Sequence, residues 1–144
     1  LETIKALTDA GIPTGVLVAP IIPALTDDEL EAILEQAAEN GAQTAAYILL
    51  RLPHEVKDLF REWLHTHFPM RATHVMSLIQ QSRGGKDYDA RFGHRMRGQG
   101  HFADLIEKRF RLACKRYGFG ERRVNLNTEL FQVPERVGDQ MSLF

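Results

Sequence analysis

Two short apolar runs with one amphipathic stretch between them constrain this chain more than anything else in it. Gly15-Val16-Leu17-Val18-Ala19 is almost continuously apolar, and so is Thr44 to Leu52 (Thr-Ala-Ala-Tyr-Ile-Leu-Leu-Arg-Leu). Runs of this kind predict strands buried on both faces. Pro20 and Pro23 are expected to end the first, because neither can donate to a sheet ladder. In between, Thr26 and Glu29 have capping-box spacing, Asp27 and Asp28 suit a helix N-terminus, and Leu30, Ile33, Leu34 and Ala37 recur at helical spacing up to Asn40-Gly41. Ile4 and Leu7 predict a preceding helix that stops at Gly11. Helix, strand, helix, strand is the rhythm of a parallel sheet, whose ligands lie at the C-terminal strand ends, here near Pro20 and Arg51.

Beyond Pro53 the period becomes helical. Val56, Leu59, Phe60, Trp63 and Leu64 share one face before Pro69, and Val75, Leu78 and Ile79 point inward from a helix over about 71–81. Residues 83–100 hold five glycines and the cations Arg83, Lys86, Arg91, Arg95 and Arg97, which predicts a long basic loop. Phe102, Leu105, Ile106, Phe110, Ala113, Cys114 and Tyr117 then mark a long amphipathic helix ending at Gly118. Val124 to Leu126 reads as a short extended segment, and a polar tail begins at Val133.

The net charge of -1 conceals an asymmetry: residues 1–72 hold 5 Lys+Arg against 11 Asp+Glu, residues 73–144 hold 13 against 8. The basic half makes a polyanion such as nucleic acid a partner to test, against the plainer reading that the halves face each other or solvent. Hydrophobic residues at 44% and no apolar run near 20 residues argue against a membrane span. Cys114 is the single cysteine, so no internal disulfide or cysteine-built metal site is expected, and a reducing cytoplasm is the default location. His65 and His67 sit two apart on a helix and do not share a face, so no metal ligands are assigned. Gly84-Gly85-Lys86 lacks the first glycine of a phosphate loop and has Asp87 where Ser or Thr would follow.

The run from Ala10 to Asp27, with Pro20-Ile21-Ile22-Pro23 at its centre, resembles the fifth strand and following loop of radical S-adenosylmethionine proteins of the spore photoproduct lyase-like (DNA repair photolyase-like) group. Tyr47 to Leu52 with Pro53-His54-Glu55-Val56 resembles that group's sixth strand and exit helix. Arg83-Gly84-Gly85-Lys86 and Arg91-Phe92-Gly93-His94-Arg95-Met96-Arg97-Gly98 resemble its C-terminal extension. The resemblance implies an α/β fold: the C-terminal portion of a partial (β/α) barrel, two parallel strands with their helices over 1–69, then a mostly α-helical basic extension over 70–132 and a flexible tail over 133–144. It implies a complete enzyme, lyase-like and acting on nucleic acid, that uses S-adenosylmethionine and a [4Fe-4S] cluster held by an upstream Cys-x-x-x-Cys-x-x-Cys loop. This chain has no such cysteines, starts at Leu1 inside a helical pattern, and is expected to retain neither group and to have no catalysis of its own.

By the same resemblance Ala19, Pro20 and Ile21, with Leu50, Arg51 and Leu52, would wall the adenosine. For Arg51 two readings stay open: a fork of donors for a carboxylate or ribose, or a strand-end arginine that reaches solvent or pairs with Glu55. Arg83, Lys86, Arg91, Arg95 and Arg97 are the candidate nucleic-acid contacts, with Tyr88, Phe92 and Phe102 as stacking faces; the alternative is a solvated loop whose aromatics pack inward. Gln140-Met141-Ser142-Leu143-Phe144 resembles the bacterial sliding-clamp-binding peptide, with Gln140, Met141, Leu143 and Phe144 as anchors. An interaction module without chemistry of its own, and a piece of an unrelated (β/α)-barrel lyase, are the competing functions.

Overall fold

The computed structural model of the chain describes residues 1–120 together with 129, 131 and 133. Helix α1 (Glu2–Asp9) leads to strand β1 (Gly15–Ile21); a 3-10 turn over Asp27–Glu29 opens α2 (Leu30–Glu39), and β2 (Thr44–Leu49) follows. The strands pair in parallel, with Val16 opposite Ala45 and Val18 opposite Tyr47. Four helices follow: α3 (Val56–His67), α4 (Ala72–Gln81), the single turn α5 (His94–Arg97) and α6 (Gly100–Tyr117). No helix among the described residues is long and apolar enough to cross a membrane.

Three expectations about the first half need correcting. Pro20 does not end β1, which continues to Ile21. The register shifts there, so that Ala19 and Pro20 together stand opposite Ile48, and a bulge is where a residue without an N–H fits a strand. Because of the extra residue, Val18 and Ile21 both face the same core. Thr26 does not cap the helix with its side chain: its hydroxyl accepts from the Ile22 N–H at 2.9 Å and closes the loop after β1 instead.

The third correction concerns burial. The face bearing Val18, Ile21, Tyr47 and Leu49 is buried against α2 and α6, which supply Leu30, Leu34, Ala37, Ala103, Ile106 and Ala113. On the other face Leu17, Ala19 and Ala46 are exposed, Leu17 at 57%, and Ile48 is only half-buried. Leaving a leucine that exposed forgoes about 1 kcal/mol of the stabilisation its burial would supply. The runs looked buried on both faces because their composition is apolar throughout, yet only one face is covered.

A second core lies beyond the C-terminal strand ends, where Leu52 and Leu64 meet Ala72, Val75 and Ile79. Both cores draw on residues from either side of position 70, so the expected boundary there does not divide one core from the other. On α3 only Leu64 is buried; Val56, Leu59 and Trp63 remain substantially exposed. Helix α6 ends at Gly118, whose φ of 77° suits a residue without a Cβ, and the Phe119 N–H donates back to the Cys114 carbonyl at 2.9 Å. Leu105, expected inward, is 51% exposed. Val124 to Leu126 and the tail from 134 onward lie outside the described residues.

Candidate functional site

The C-terminal end of β2 is where the two halves of the chain meet. Arg83, two residues past α4, is buried at 2% exposure. Its Nη1 donates to the His94 carbonyl at 2.8 Å, and Nη2 to the carbonyls of Leu50 at 2.8 Å and Leu49 at 3.3 Å. It therefore pins the basic segment to the strand end. Gly98 closes the same junction: with φ of 76°, a Cβ there would stand 3.0 Å from the Ser82 carbonyl oxygen and 3.1 Å from Leu49 Cδ1. The expectation that Arg83 reaches outward for nucleic acid is not met, because the residue is buried and its terminal nitrogens donate to backbone carbonyls.

Arg51, two residues past β2, is half-buried beside it. Nη2 donates to the Tyr88 hydroxyl at 3.0 Å, Nη1 lies 3.8 Å from the Met96 sulfur, and the guanidinium carbon sits 5.8 Å from the Tyr88 ring centroid. Its Nε is sealed from solvent with no acceptor. Among the described residues Arg51 makes no ion pair, with Glu55 or any other acid. Burial pushes the Arg83 guanidinium below its ordinary range, and the field of Arg51 pushes the same way while Asp89 opposes it. Even so, Asp89 is committed to Arg91, whose Nε and Nη2 reach it at 3.0 and 2.6 Å. Asp87 is held below the usual carboxylate range by Gln80 first and Arg61 second.

The remaining strand-end positions divide. Ala19 and Pro20 are exposed, whereas Ile21 and Leu52, each 1% exposed, give their side chains to the two cores and leave only backbone to face a ligand. Leu50 is half-buried against the second core. The loops that follow the strands each hold a non-glycine residue with positive φ, Ala24 at 59° and His54 at 48°, a conformation that costs on the order of 1 kcal/mol.

No family model matches the chain, and no curated protein or solved structure does either.

Of the basic-loop residues, Lys86, Arg91 and Arg97 are exposed and Arg95 is half-buried, its guanidinium 5.4 Å from the Phe92 ring centroid. The three aromatics separate cleanly. Tyr88 is engaged by Arg51 and Phe102 packs against the first core, which leaves Phe92, 88% exposed, as the free stacking face. Sequence reasoning flagged Arg51 but missed its junction with Arg83, Tyr88 and Met96, which are distant in the chain and carry no local signal of it. Residues 140, 141, 143 and 144 of the clamp-like peptide lie outside the described residues.

Proposed function

We propose that this chain is the C-terminal part of a radical S-adenosylmethionine, iron-sulfur-dependent enzyme of the photoproduct lyase-like group, one that acts on nucleic acid. The observation that carries the reading is the bare sheet face. Among the described residues, two parallel strands joined by the α2 crossover leave Leu17, Ala19 and Ala46 exposed and Ile48 half-buried, and the interior of a larger barrel is the environment that such a face suits. Ala19, Pro20 and Arg51 stand at the strand ends where the adenosine and its substituents would lie. The iron-sulfur cluster does not fit this chain: it needs several thiolates, and Cys114 is alone on α6 with its thiol pushed up by burial. Sequence outside this chain would have to hold it, and no reaction step is assigned to the residues present.

Nucleic acid would meet Phe92 and the cations around it. Phe92→Ala is expected to weaken single-stranded DNA binding about tenfold, the effect of losing one stacked base, while Arg91→Ala and Arg97→Ala lower the salt dependence. The decisive test is the complete protein, reconstituted with iron and sulfide under reducing conditions and given S-adenosylmethionine. Formation of 5'-deoxyadenosine is expected; its absence in a protein that also binds no iron would sink the reading. DNA binding that persists without that cleavage would favour a non-catalytic nucleic-acid module. A bare apolar face further predicts that the 144-residue chain alone associates, its melting midpoint rising with concentration, and that Leu17→Lys suppresses this.

A further inference from the structure

We propose that Arg51 and Arg83 form an oxyanion site at the C-terminal end of β2, one that takes a carboxylate or phosphate group. The charge balance points there. Carbonyl dipoles take three hydrogen bonds from the terminal nitrogens of Arg83 but leave its formal charge, and the acceptors of Arg51, a phenol and a thioether, are neutral. Both loop acids are bonded elsewhere, Asp87 to Arg61 and Gln80, Asp89 to Arg91, so that only the field of Asp89 reaches Arg83. Elsewhere in the same chain a half-buried arginine is neutralised in full: Arg109 donates to both carboxylate oxygens of Glu31, at 2.8 and 2.6 Å, and pairs with Asp27.

Two guanidiniums that feel each other's field, neither bonded to a carboxylate and one of them buried, are stabilised by an anion supplied from outside. Arg51 has the donors for it: each terminal nitrogen makes only one hydrogen bond, while Nε, sealed from solvent, lies out of reach of an outside anion. Because Tyr88 accepts from Arg51, its own hydroxyl hydrogen is left to donate as well. The location agrees, since ligands of parallel sheets bind outside the carboxyl ends of the strands. The site stands whether or not the radical chemistry does.

The test follows the arginine Nε–Hε signals of the 15N-labelled protein during titration with inorganic phosphate and, separately, with acetate, at ionic strength held constant by sodium chloride. A saturable shift of Arg51 is expected. Arg51→Gln should raise the dissociation constant at least about tenfold, Tyr88→Phe several-fold with the charge retained, and Lys5→Gln on α1 not at all. Tighter phosphate binding identifies a phosphorylated ligand, tighter acetate binding a carboxylate-bearing one. An unsaturable drift with both anions, or a saturable response unchanged in both Arg51→Gln and Tyr88→Phe, would overturn the site.

Discussion

Arg109 and Arg83 are both drawn into the structure by long-range contacts, yet they are neutralised in opposite ways. Arg109, on α6, meets Glu31 and Asp27 from the segment that opens α2, and also donates to the Asp27 carbonyl at 2.7 Å. Arg83 meets carbonyls only. The first is a fastening between helices whose charges cancel. The second fastens the basic segment to a strand end and leaves charge there, beside a second arginine. A fold that pairs one arginine and leaves another unpaired has a structural site in one place and a place for a ligand in the other.

The largest effect expected from breaking this contrast is Arg83→Ala. Three backbone carbonyls lose their donor and a cavity remains, so urea unfolding should show a loss of about 3 kcal/mol or more. Arg83→Met restores the volume and removes the unpaired charge, and it should cost clearly less. Both variants remove the charge, so the gap between them reports the cavity; an Arg83→Met cost as large as that of three lost buried hydrogen bonds would mean that the charge carries no penalty, which would erase the difference between the two arginines.

Arg109→Ala should cost less, about 1–2 kcal/mol in the same measurement, because the pair is partly exposed and water takes over the acceptors. Its loss should also depend on pH. The hydrogen bonds from Arg109 hold the Glu31 carboxyl below its ordinary range, so the stabilisation is present in full above the unfolded carboxylate pKa and disappears as pH falls through the lower folded value. The gap between parent and Arg109→Ala should therefore narrow as the solution is acidified below about pH 4. The cost of Arg83→Ala should stay flat from there to pH 9, since its partners do not titrate; a gap that narrowed in the same way would indicate a hidden carboxylate partner. Arg91→Ala sets the lower end of the scale. Its side chain is 65% exposed on Asp89, and the change should leave the urea midpoint indistinguishable from the parent's.

Much of the fold was legible from local pattern. The helical periods of Leu30, Leu34 and Ala37, of Val75 and Ile79, and of Ile106 and Ala113 all mark residues that end up buried. These are choices between a helix face and its opposite, which a 3.6-residue period makes by itself. Pro20 was misread because its missing N–H excludes regular pairing but not a bulge. Thr26 was misread because a hydroxyl three residues before a Glu has another acceptor role available in the loop after β1. At the site, Arg51 stood out as a charge ending an apolar strand. Arg83 did not, because a charged residue beside two glycines is ordinarily exposed and its burial depends on carbonyls more than 30 residues away.

By itself the sequence determined two parallel-type strands, the helix between them, the helices α3, α4 and α6, and a basic segment between α4 and α6, where it predicted a loop and the structure has the helical turn α5. It also determined that Cys114 is the single cysteine of these 144 residues. Tertiary structure decided which strand face is covered, which arginine turns inward, and which aromatic stays free. Those outcomes depend on which groups from remote segments arrive at one point, and neither periodicity nor composition encodes that arrival. A side chain's local preference names the face it can occupy; the partners that satisfy or fail to satisfy its charge are assembled only when the chain closes on itself.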